Sequence, residues 1–312
     1  MERRKLTGLR PQTYEHPLDT KALDALEGTP GLETLVRKCN EWGFERLLRV
    51  QLTGSNLRVT ADNFPEIHAH LKSAAEILDL PHLPEIYIAS GGDINAFTAG
   101  VEKTIVVLTS AAVDQLTDDE LFFVIAHELG HIKSGHVLYY QMAEFIPVLG
   151  DIIGGLTLGI GGVVSTGLQV ALLNWKRMSE FTADRAGLLA TQDVNAAVST
   201  MMKLAGLPQK SYGAINNEDF LAQAREFEGL DTDKLSWLAK GLSVMGQEHP
   251  WTVMRASEFL KWTDGGGYER VLNAKHDSPT RHCTQCGRTL GATQLFCPHC
   301  GAKAHVAQET TT

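Results

Sequence analysis

The feature that most constrains this chain is a group of polar residues inside an apolar helix. Leu121, Val124, Ile125, Leu129 and Ile132 recur at helical spacing behind Thr117-Asp118-Asp119-Glu120, a Ser/Thr-x-x-Glu capping box that predicts a helix start. His127-Glu128-Leu129-Gly130-His131 lies within that run. Two imidazoles and a carboxylate are costly to bury on such a helix unless they are paired or ligated. Histidines at i and i+4 share one face, a turn apart, where they can bind a single Zn²⁺, with Glu128 in reach of a water on that metal. Neutral imidazoles leave zinc able to bring the pKa of its water to about 7, and a carboxylate can then take the proton.

A zinc of this kind keeps three protein ligands and one open position. His136 is close in sequence, but five residues past His131 is a rotation of roughly 140° on a continuous helix, which turns it away from the metal. Glu180 is the better candidate. In Arg177-Met178-Ser179-Glu180-Phe181-Thr182-Ala183-Asp184 the two acids share a helix face at i and i+4. Glu180 can then ligate zinc while Asp184 accepts a hydrogen bond from a ligand imidazole and fixes its tautomer. Alone, Glu-x-x-x-Asp suits a solvated surface helix as well; it gains weight only behind His-Glu-x-x-His.

Around these motifs, Ile67, Leu71, Ala74 and Leu78 predict a helix, and 84–90 and 103–109 predict two sheet strands with a loop over 91–100. His-Glu-Leu-Gly-His at 127–131, Glu-Phe-Thr-Ala-Asp at 180–184, Asn95-Ala96-Phe97 before an apolar strand, and His249-Pro250 followed by Arg255 together resemble the HtpX-like zinc metallopeptidases, relatives of the CAAX prenyl proteases. The resemblance covers 62–263. It implies an α+β, zincin-like (gluzincin) fold, mostly helical with a small sheet, and endopeptidase activity. It further implies His127, His131 and Glu180 as zinc ligands, Glu128 as general base, Asp184 behind a ligand, and His249 near the substrate, stabilising the oxyanion. A purely structural turn is an equal account of His249-Pro250, since proline keeps the preceding residue extended and opens helices. The strand at 103–109 is a candidate to hold an extended substrate by strand addition.

From Ile152 to Trp175 a stretch of 24 residues carries no charge. One membrane crossing would put ligands of the same zinc on opposite sides of the bilayer, and a hairpin would have to bury Lys133, His136 and Glu144. Six glycines, at 154, 155, 159, 161, 162 and 167, suit closely packed or mobile helices, so 145–175 is read as a lid that also offers peripheral membrane contact.

Near the carboxyl end Cys283-Thr-Gln-Cys286-Gly and Cys297-Pro-His-Cys300-Gly resemble a zinc ribbon. Four thiolates at this spacing close a structural zinc site whose metal supplies the folding free energy of so short a segment. The chain thus divides into a helical region of open role (1–61), the metallopeptidase domain (62–263), a linker (264–280) opening on Asp264-Gly265-Gly266-Gly267, the ribbon (281–304) and a tail (305–312). The fifth cysteine, Cys39, sits on an apolar stripe with Leu32, Leu35, Val36 and Trp42 and reads as a small core residue. The 28 Lys+Arg against 37 Asp+Glu give a net charge of −9, which argues against a nucleic-acid partner. The basic amino terminus lacks the apolar run of a signal peptide, which predicts a cytoplasmic chain, membrane-associated if the apolar stretch meets lipid. The expected function is a zinc endopeptidase acting on unfolded or membrane-associated proteins, with the ribbon for protein docking. The competing reading is a catalytically silent scaffold that works through the ribbon.

Overall fold

In the computed structural model the described residues are 3–41, 44–101, 103–143, 166–229, 250–276, 281–282 and 289–290. They are mostly helical around a small mixed sheet. Strands β1 (Leu57–Arg58), β2 (Glu85–Ala89), β3 (Ala96–Ala99) and β4 (Ile105–Thr109) lie in the order β1-β2-β4-β3. β2 and β4 run parallel in the register Glu85↔Ile105 to Ala89↔Thr109, while β1 and β3 add antiparallel edges. Ile105 to Leu108 are all buried, as the unbroken apolar run of a central strand requires.

This order corrects two expectations. The stretch 91–100 is not all loop, because Ala96 to Ala99 pair with Leu108 back to Ile105. The pairing, rather than any propensity in Ala-Phe-Thr-Ala, makes that strand. The predicted substrate strand at 103–109 is interior, with β2 on one side and β3 on the other, so its backbone has no free edge. β3 has one.

Among the described residues five α-helices precede the histidine motif: α1 (Pro17–Glu27), α2 (Leu32–Glu41), α3 (Phe44–Ser55), α4 (Pro65–Ile77) and α5 (Ser110–Gln115). α4 buries the predicted face Ile67, Leu71 and Ala74 and is followed by buried Leu78. Helix α6 (Asp118–Lys133) starts at the predicted capping box, with the Thr117 amide donating to Glu120 Oε2 at 2.7 Å. α7 (Thr166–Thr191) packs along α6, followed by α8 (Val194–Leu204), α9 (Asn217–Gly229), α10 (Thr252–Asp264) and α11 (Gly267–Asn273).

The amino-terminal residues are built into this body. Leu6, Leu9 and Tyr14 share a core with Leu71, Ile77 and Phe122. Ala22, Leu26, Leu32, Leu35 and Val36 pack with Leu168, Leu172 and Trp175. The end of the charge-free stretch therefore buries one face, Leu168, Leu172 and Trp175, and leaves Val170 and Leu173 exposed; the rest of the proposed lid, up to 165, lies outside the described residues, as does the side chain of Cys39. Among the described residues no helix is long and apolar enough to cross a membrane. The linker reading of 264–280 is corrected at α11, whose Tyr268 and Val271 are buried beside Trp262. Gly266, at φ +70°, makes the turn that starts it.

Candidate active site

Helix α6 carries both histidines into the core, where every residue from Glu120 to His131 is buried. Gly130 sets how closely α7 approaches: a Cβ at this position would lie 2.6 Å from Ala186 Cβ. That contact faces His127 and His131 toward Glu180 and Asp184. One ligand atom each from His127, His131 and Glu180 falls within a common 4.8 Å. The two Nε2 atoms are 3.2 Å apart, and Glu180 places Oε2 3.6 Å from His127 Nε2 and Oε1 3.4 Å from His131 Nε2. Ligands bound tetrahedrally at about 2.0–2.1 Å from zinc stand ~3.3–3.4 Å from one another, so the three buried side chains fit that ion.

Each member of the trio is held from behind. His127 Nδ1 lies 3.0 Å from Asp184 Oδ1, and Arg255 grips Asp184 through both oxygens, Nε to Oδ2 at 2.8 Å and a terminal nitrogen to Oδ1 at 2.6 Å. Burial alone would push the Asp184 carboxyl up, but the Arg255 guanidinium and the His127 imidazole keep it below the usual carboxylate range. Burial likewise opposes a charge on His127, yet Asp184 and Glu180 raise it to about 9. His131 behaves oppositely: burial takes it down to about 3, and Glu180 only partly offsets this. Glu180 accepts from the Tyr140 hydroxyl and stands 3.5 Å from Arg255.

His136 is not among the three grouped side chains, but it does not point away either. α6 ends at Lys133, and Gly135 at φ +74° turns the chain back so that His136 Nδ1 meets His131 Nδ1 at 3.0 Å. Its Nε2 is 3.2 Å from Asp19 Oδ2 on α1. Gly135, directly before His136, is the sequence signal of this turn.

Glu128 is fixed by Thr98 of β3, whose hydroxyl donates to its carboxylate at 2.7 Å. Glu128, His127 and Glu180 open on a cleft of about 260 Å³ bounded also by Asn95 and Ala96 before and on β3, and by Pro250, Thr252 and Arg255 across from it. His249 lies outside the described residues, although Pro250 reaches the cleft wall. Cys283, Cys286, Cys297 and Cys300 also lie outside them; what is described there is an antiparallel pair, β5 (Arg281–His282) and β6 (Thr289–Leu290).

A buried His-Glu-x-x-His helix with a glutamate ligand candidate from a second helix, beside an edge strand, is the arrangement of a zinc metallopeptidase. Residues 61–263 match peptidase family M48, and the chain belongs to that family. It is 30% identical over 270 residues, 86% of this chain and 77% of the relative, to the "Plastoglobule-localized metallopeptidase 48, chloroplastic" of Arabidopsis thaliana. It is 27% identical to "Protease HtpX homolog 2" of Methanosarcina acetivorans over 67% of this chain and 76% of that one. "Protease HtpX homolog" of Thermococcus kodakarensis is 28% identical over 50% of this chain and 62% of its own. No solved structure matches the chain. The expected kinship with HtpX-like metallopeptidases therefore holds.

Proposed function

We propose that this metallopeptidase is a zinc-dependent endopeptidase hydrolysing unfolded or membrane-associated proteins, with His127, His131 and Glu180 as metal ligands and Glu128 as general base. The observation that carries the reading is the Glu128 carboxylate, pinned by Thr98 at 2.7 Å in the same cleft as His127 and Glu180. Zinc supplies Lewis acidity there, polarising a peptide carbonyl and lowering the pKa of water to about 7. Glu128 takes the proton of the attacking water and passes it to the leaving amine. Thr98 keeps the carboxylate aimed at the cleft while it does so. The substrate lies extended along the free edge of β3, where backbone pairing holds a chain without reading its side chains, as suits unfolded proteins.

His249 is proposed as a stabiliser of the oxyanion, and the four carboxyl-terminal cysteines as the ligands of a second, structural zinc in a protein-docking ribbon. Peripheral membrane contact is proposed for 145–175, and a cytoplasmic location for the chain. The test of the central reading is cleavage of casein by zinc-loaded protein beside Glu128→Gln with its zinc content assayed. The variant is expected to keep the metal and lose about 10²–10⁴-fold in rate. Equal rates in the two proteins overturn the base assignment; no cleavage by either, with metal bound, returns the scaffold reading.

A further inference from the structure

The amino-terminal region reaches the metal site through one buried carboxylate. Asp19, on the first turns of α1, is buried, and its Oδ2 accepts from the Thr182 hydroxyl at 2.6 Å and faces His136 Nε2 at 3.2 Å. Thr182 in turn accepts from the His16 backbone amide at 3.0 Å, which ties the start of α1 to α7 between Glu180 and Asp184. His136 then meets His131 ring to ring at 3.0 Å between Nδ1 atoms. The protons along this line admit one consistent order when His131 offers Nε2 to a metal. His131 keeps its proton on Nδ1 and must donate it, so His136 Nδ1 must be bare. His136 therefore carries its proton on Nε2 and gives it to Asp19. Without an acceptor at Asp19, His136 is free to take the other tautomer, which sets two N–H groups face to face behind the ligand.

We propose that Asp19 and His136 are positioning residues for the metal, a carboxylate–imidazole relay that fixes the tautomer and ring angle of His131 and makes the amino-terminal helix a working part of the active site. The proposal rests on the zinc reading of His127, His131 and Glu180. Outer partners of this kind typically account for about 10–100-fold in metal affinity. The relay also gives 1–61 a role that its sequence alone does not show, since α1 delivers the last acceptor.

The test is metal affinity of the full chain, loaded with Co²⁺ and titrated with a competing chelator. Visible bands are read after subtracting the spectrum of His131→Ala, which leaves only the proposed cysteine site. Asp19→Ala and His136→Phe are expected to raise the dissociation constant about 10–100-fold and to shift the bands, with a smaller effect for Asp19→Asn, whose amide oxygen still accepts from His136. Tyr14→Phe removes a neighbouring hydroxyl contact, to Ser134 at 3.1 Å, without touching the relay, and is expected to lower the melting temperature at unchanged affinity. Affinities of Asp19→Ala and His136→Phe within about twofold of the parent overturn the proposal, as does an equal loss in Tyr14→Phe. Identical metal uptake by the parent and His131→Ala instead overturns the underlying ligand assignment.

Discussion

The two histidines of one motif are backed in opposite ways. Behind His127 stands a charged pair, Asp184 clamped by both arms of Arg255. Behind His131 stands a second imidazole, that of His136, with its carboxylate one ring further off on another element. The first arrangement pushes His127 up to about 9, while burial takes His131 down to about 3. The difference also bears on folding, because the two backings fail differently when a partner is removed.

The largest effect is expected on the charged side. Arg255→Met leaves Asp184 and Glu180 buried at 2% and 1% exposure without their guanidinium. Breaking a buried pair from one side costs about 3–5 kcal/mol, because the remaining charge stays uncompensated. Thermal unfolding of the metal-free variant is expected to show a drop in Tm well beyond that of Asp19→Asn, which leaves no stranded charge. A smaller drop for Arg255→Met than for Asp19→Asn would reverse the comparison.

A smaller effect separates both backings from the proposed base, Glu128. Thr98→Val keeps the shape of β3 but removes the hydroxyl that holds Glu128 at 2.7 Å. Losing one hydrogen bond to a charged group is worth about 1.5–3 kcal/mol, so kcat is expected to fall roughly 10–100-fold. Metal affinity is expected to stay at the parent value, since Thr98 touches neither histidine. A loss of metal in this variant would show that base and ligands are not held independently.

The contrast between the two histidines is also a contrast in legibility. His127, Glu128, His131, Glu180 and Asp184 fall at fixed helical spacings, and period and capping put each set on one face of its helix, while the resemblance is what brings the two helices to one site. The capping box at Thr117 and the burial of Ile67, Leu71 and Ala74 follow from the same local rules. Asp19 and His136 meet only because Gly135 breaks a helix and Thr182 anchors α1, and neither event has a periodic signature. Thr98 is hidden for a related reason: β3 is four residues long and exists through pairing with β4. In α11 the three glycines at 265–267 read as a linker, whereas a Cβ at Gly267 would lie 2.3 Å from the Trp262 ring, so the glycine allows close packing instead.

The smallest effect concerns the attachment that brings Asp19 into place. His16 caps α1, its Nδ1 accepting from the Leu18 amide at 3.1 Å, and its Nε2 reaches Glu258 of α10 at 3.0 Å. Burial would raise the Glu258 carboxyl, but His16 and Lys261 hold it down to about 2 from an ordinary 4.5. A carboxyl lowered in the folded state contributes stability that is fully present above the unfolded value and is lost as pH falls through the folded one. The contribution is thus complete above about pH 5 and disappears between there and pH 2. Glu258→Gln is expected to melt a few degrees below the parent at neutral pH and to converge with it in acid. If this anchor also holds α1 in register with α7, Glu258→Gln should loosen amide exchange protection at the start of α1 while leaving that of α6 unchanged. Loss of protection along α6 as well would mean that the two backings share one folding unit, and the contrast between them would then lie in their chemistry alone.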